Sequence, residues 1–182
     1  MSLLTSLNIS RRAFLLLPAA VTLGVAAPLA KASEIADPFA NLTVGEYIRL
    51  FAPEVFGSLG AELKSSLDSS RMYSQTPAPR AYLDQNVSIS AWRAGAGSVG
   101  YSFSFTCSAS CPSLYALVTV NNLSTGSTYS REFWGSGTSL RGSGTASGLS
   151  SGSCRAVVTA FAPEPPVGTT SYYSQDWSTV NV

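Results

Sequence analysis

Few residues in this sequence are equipped for chemistry. Histidine is absent from all 182 positions, which removes the usual general base and the commonest metal ligand together. A serine nucleophile would then need a lysine at a spacing such as S-x-x-K, but Lys64 is preceded by Ala61-Glu62-Leu63. Carboxylates remain: two of them held about 5 to 9.5 Å apart can hydrolyse a glycosidic bond, and the C-terminal half offers Asp84, Glu132, Glu164 and Asp176. Glu132 stands out because Arg131-Glu132-Phe133-Trp134 sets a carboxylate beside aromatic rings. The ordinary expectation for such a glutamate is a cross-strand ion pair on a wet face.

Flat aromatic rings are the other resource. Trp92, Trp134, Tyr172, Tyr173 and Trp177 combine apolar area with a polar tip suited to stacking on sugar faces, although core packing is the expected fate of most such rings. Tyr172, Tyr173 and Trp177 follow Pro163, Pro165 and Pro166, where part of the cluster is expected at the surface. The candidate ligand surface is therefore Trp134 and Glu132 with Tyr172, Tyr173 and Trp177. Gly135-Ser136-Gly137 with Gly142 and Gly144 lacks the Gly-Lys-Ser/Thr ending of a phosphate loop and reads as a turn-rich hairpin.

The three cysteines, Cys107, Cys111 and Cys154, have neither histidine nor C-x-x-C spacing, which is poor zinc chemistry. No metal or cofactor is expected. If successive strands alternate direction, Cys107 and Cys111 fall at one end of the fold and a disulfide between them would close Ser108-Ala109-Ser110. Were the weak strand near Thr138 missing, the parity would reverse and Cys154 could bridge to either.

The elements that must position these residues begin with a helical stretch from Leu42 to Asp68. Thr43-Val44-Gly45-Glu46 is a capping box, and Val44, Tyr47, Ile48 and Phe51 share one helical face. Pro53 should break the helix and start another carrying Val55, Phe56, Leu59, Leu63 and Leu67. Ser74 to Arg80, with Pro77 and Pro79, reads as an extended linker.

From Asn86 onward the chain is rich in β-branched, aromatic, Ser, Thr and Gly residues in short runs. Strands are expected at 87–93, 99–107, 114–121, 128–134, weakly at 138–146, then at 154–161 and 170–180. In the second, Val99, Tyr101, Phe103, Phe105 and Cys107 alternate with Gly100, Ser102, Ser104 and Thr106, one face core and one wet. The run Gly148-Leu149-Ser150-Ser151-Gly152-Ser153-Cys154-Arg155-Ala156-Val157-Val158-Thr159-Ala160 resembles the turn and penultimate strand of an immunoglobulin-like or fibronectin type III domain. It departs from that pattern where Cys154 and Ala156 replace the usual aromatic. The expected fold is mainly β, an immunoglobulin-like antiparallel sandwich over 86–182, with a helical segment at 33–73 and a linker at 74–85.

Ser10-Arg11-Arg12-Ala13-Phe14-Leu15 heads a mildly apolar run from Ala13 to Ala30, followed by Ala30-Lys31-Ala32. This resembles a bacterial twin-arginine signal peptide over 1–32, cleaved between Ala32 and Ser33. The resemblance implies the twin-arginine translocase as a partner during export, and a periplasmic or secreted product without a stable membrane anchor. Removal of Arg11, Arg12 and Lys31 leaves eight basic residues against ten acidic ones, so the basic footprint of a nucleic-acid binder is missing. Three functions fit: a non-catalytic binding or accessory protein with a carbohydrate or protein ligand; a structural or adhesive surface protein; or a carboxylate-based glycan hydrolase. The first is preferred, because every common catalytic constellation is missing.

Overall fold

In a computed structural model, residues 37–74, 83–169 and 171–182 are described. The export motif (Ser10, Arg11, Arg12, Phe14, Leu15), the cleavage point Ala32/Ser33 and residues 75–82 of the expected linker lie outside them.

Helix α1 (Val44–Phe51) starts at the anticipated capping box: the Thr43 hydroxyl accepts from the Glu46 amide at 3.1 Å, and the Glu46 carboxylate accepts from the Thr43 amide at 2.8 Å. Ala52 ends it, and Pro53 opens α2 (Pro53–Ser58). The expected second helix then divides, because the chain turns extended at Leu59 and Gly60 before α3 (Ala61–Ser69). Arg49 reaches Asp68 with two 2.7 Å bonds, tying α1 to α3. Gly45 lets these helices approach, since a Cβ there would stand 2.0 Å from an Asp68 carboxylate oxygen. No helix among the described residues is long and apolar enough to cross a membrane.

The rest is mainly β: β1 (Gln85–Gly95), β2 (Ser98–Asn122), β3 (Thr128–Ser147), β4 (Ser153–Glu164) and β5 (Tyr173–Asn181), all antiparallel in one curled sheet. Every expected strand segment overlaps one of these, the last beginning at Tyr173 instead of Thr170, but the count differs. The second and third segments are one continuous strand, β2, and the fourth and fifth are another, β3. Each passes from one half of the sheet to the other through a bend, where the β2–β3 register shifts between Thr106 and Leu114. The small residues Ser108-Ala109-Ser110 and Gly135-Ser136-Gly137 bend the extended chain instead of reversing it.

In one half, β1 and the C-terminal arm of β3 flank the N-terminal arm of β2. In the other, the order is the N-terminal arm of β3, the C-terminal arm of β2, β4, β5. The halves enclose a core that includes Tyr101, Phe103, Phe105, Leu114, Val118, Val120 and Val158. The second half is apolar on both faces, and its outer face, with Tyr115, Leu117, Val157 and Phe161, is covered by the helices through Tyr47, Ile48, Val55, Phe56 and Leu67. Helices, second half and first half thus form three layers around two cores.

The expected Cys107–Cys111 disulfide is corrected. All three cysteines are free and buried. The pairing rested on a hairpin loop at 108–110, whereas β2 runs on as one bent strand; the Cys107 and Cys111 thiols are neighbours in the core but are not bonded.

Candidate functional site

The face of the second half that carries the helices is a grid set by strand register. Its end nearest the bends is one aromatic row across four strands: Trp134, Tyr115, Phe161 and Tyr173. Trp134 packs on Tyr115 with ring centroids 4.8 Å apart, and Tyr115 on Phe161 at 5.0 Å. Helices cover Tyr115, Phe161 and Tyr173, but β3 lies beyond their reach and Trp134 stays 53% exposed. Its ring is open to solvent yet braced from one side.

Glu132 stands on the same face two residues earlier, roughly 7 Å along an extended strand. The expected ion pair is not formed: its cross-strand neighbour is Leu117, and none of the ion pairs of the described residues includes it. Its charge, after burial, helps push the Tyr115 hydroxyl well above the ordinary tyrosine range. That hydroxyl is buried with no hydrogen-bond partner among the described residues. Arg131 turns to the opposite face, its guanidinium 5.1 Å from the Phe133 ring centre.

The other expected ligand residues are elsewhere or enclosed. Tyr173 shares the aromatic row but is buried, donating to the Ser74 carbonyl at 3.0 Å. The Tyr172 hydroxyl accepts from the Gln85 amide and donates to the Gln85 carbonyl, both at 3.2 Å. Trp177 packs edge-on against Tyr73 at 5.0 Å but stays exposed, as expected of part of this cluster. Tyr73 is held at φ +61° by its amide bond to Gln175 Oε1 and its hydroxyl bond to Asp37, which also pairs with Arg155 at 3.0 Å. These residues fasten the helical layer and the β1–β5 seam.

A second surface escaped sequence reading. The outer face of the first half carries the cross-strand rows Ser88–Ser104–Arg141, Ser90–Ser102–Ser143 and Trp92–Gly100–Thr145. Trp92 lies flat enough over Gly100 that a Cβ there would stand 2.4 Å from the indole, and it is 48% exposed. The face offers hydroxyls as both donors and acceptors, one cation, and a ring at one end. The alternation of Ser102 and Ser104 was visible in the sequence; their alignment with Ser88, Ser90 and Ser143 needs the register.

Glu132 and Asp176 do not share a face as a hydrolytic pair would. Glu132 lies on the helix-bearing face, whereas Asp176 lies on the opposite face of β5 and accepts from the Ile89 amide at 2.8 Å. No three His, Cys, Asp or Glu side chains among the described residues form a metal-holding group. What the arrangement can do is bind: stack a ring on Trp134, accept hydrogen bonds at Glu132 and exchange them with the hydroxyl face. Comparison with protein-family models, curated proteins and solved structures finds no match for this chain.

Proposed function

We propose that this chain is an exported, non-catalytic binding protein whose ligand is a glycan. The carrying observation is Trp134, open to solvent and braced by Tyr115, with Glu132, which has no ion-pair partner among the described residues, beside it. A flat ring stacks on the apolar face of a pyranose, and a carboxylate accepts from its hydroxyls. The motif Ser10-Arg11-Arg12-Ala13-Phe14-Leu15 supports export by the twin-arginine route, with the periplasm or medium as destination. For the fold we read the curled sheet as immunoglobulin-like of the fibronectin type III kind. Counting the arms of β2 and β3 separately, the pairing orders are first–second–fifth and fourth–third–sixth–seventh, the arrangement of that fold.

The test is affinity electrophoresis of the full chain through gels containing soluble polysaccharides. At least one glycan should retard it; Trp134→Ala should weaken the retardation about fivefold or more and Glu132→Gln should weaken it too, since stacking on an exposed ring contributes about 1 kcal/mol or more. Retention by no glycan, or unchanged retention of Trp134→Ala, would remove this reading. A structural or adhesive role is the second reading, favoured by the open edge of β3.

A further inference from the structure

The two seams of the curled sheet are finished differently. On one side β1 meets β5, and side chains occupy the edge of β1: Asp176 takes the Ile89 amide, Tyr172 binds both backbone groups of Gln85, and Ser171 takes the Gln85 side chain. On the other side β3, 20 residues long, pairs among the described residues with β2 alone. Soluble proteins usually guard such an edge with lysine, proline or a covering segment. β3 has neither Lys nor Pro, and its charged residues are Arg131, Glu132 and Arg141.

Their placement is self-complementary. β3 bends around Ser136 and Gly137, and the inward side chains change parity there: Tyr129 and Phe133 face the core before the bend, Leu140 and Ala146 after it. Glu132 and Arg141 therefore both point outward; both are exposed, and neither has an ion-pair partner among the described residues.

We infer that β3 pairs antiparallel with β3 of a second copy, about a two-fold axis between Ser136 and Gly137. In that register Glu132 of each copy faces Arg141 of the other, Phe133 faces Leu140 on the core side, and Trp134 faces Ser139 on the outside. The charge pair occurs twice, as two-fold symmetry requires. A slip of one residue would set outward Glu132 against inward Leu140 or Gly142. A slip of two would leave Glu132 against Ser139 or Ser143 and lose both charge pairs. Because the axis passes through the bend, each half of one sheet continues into the opposite half of the other. The column of Glu132 and Trp134 then becomes continuous with the hydroxyl face of the second copy, so the binding surface is complete only in the dimer.

Pairing is tested without any glycan, so its outcome is separate from that of the ligand reading. Sedimentation velocity over a concentration series should show a dimer of the full chain. Glu132→Arg and Arg141→Glu, each placing like charges opposite one another twice, should weaken it roughly tenfold or more. The double variant, with the charges exchanged, should restore it. Both positions are exposed, and circular dichroism checks that each variant stays folded. A chain monomeric at every concentration would overturn the inference, as would a dimer that the single variants do not weaken or the double variant does not rescue.

Discussion

At the scale of single residues, burial settles what the polar groups can do. Burial and the nearby Cys111 thiol push the Cys107 thiol up to about 12, and burial raises those of Cys111 and Cys154. A raised thiol holds its proton in the folded chain after the unfolded chain has begun to lose it. The stability this supplies is complete below the ordinary value of 9.0 and is lost as pH climbs from there towards about 12. We therefore expect none of the thiols to react with a disulfide reagent at neutral pH until denaturant is added, when three react. Thiolate absorbance should appear only together with alkaline unfolding. Thiols that titrate in the native protein near pH 9 would contradict this. Trp134 and Glu132 were legible as a pair from their spacing alone. The fates of Tyr172 and Trp177 were not, because a hydrogen bond to Gln85 and a ring contact with Tyr73 join positions far apart in sequence.

At the scale of elements, the alternation of large and small residues marked the extended segments, and Thr43 with Glu46 marked the start of α1. Whether a small-residue stretch turns or merely bends could not be read locally, since Ser and Gly permit both. Long-range pairing decides it: β4 lies along the C-terminal arm of β2 and β1 along the other, so the strand continues through its bend. The same pairing gives glycine a packing role in β3. A Cβ on Gly142 would stand 2.5 Å from Phe103 and 2.6 Å from Phe133, and one on Gly144 would stand 2.5 Å from the Tyr101 hydroxyl. These glycines let aromatic rings lie against the neighbouring backbone, as in other curved sheets. Gly142→Ala should destabilise the protein by about 1 to 3 kcal/mol in guanidinium denaturation. Gly95→Ala, with nothing within 4 Å of the added carbon, should change it by under about 0.5 kcal/mol. Equal effects at the two sites would mean that the ring contacts do not constrain β3.

At the scale of the whole molecule, the second half of the sheet belongs to both cores. Its inner face meets the first half and its outer face meets the helices. Helical circular dichroism and tryptophan fluorescence should therefore report one coincident unfolding transition, and a chain beginning at Leu83, with Leu117, Val157 and Phe161 uncovered, should aggregate. A soluble, cooperatively folding chain from Leu83 would show that the helices are an accessory layer. The β1–β5 seam has a further consequence for the order of assembly. The long β2–β3 hairpin joins neighbours in sequence and can form early, whereas Gln85 and Tyr172 are separated by 87 residues, and contacts across so long a loop come late. We expect closure of that seam to be the slow step of folding. Under the proposed twin-arginine route, which carries folded chains, the hydrogen bonds of Tyr172 and Asp176 to β1 would mark when this chain becomes competent for transport.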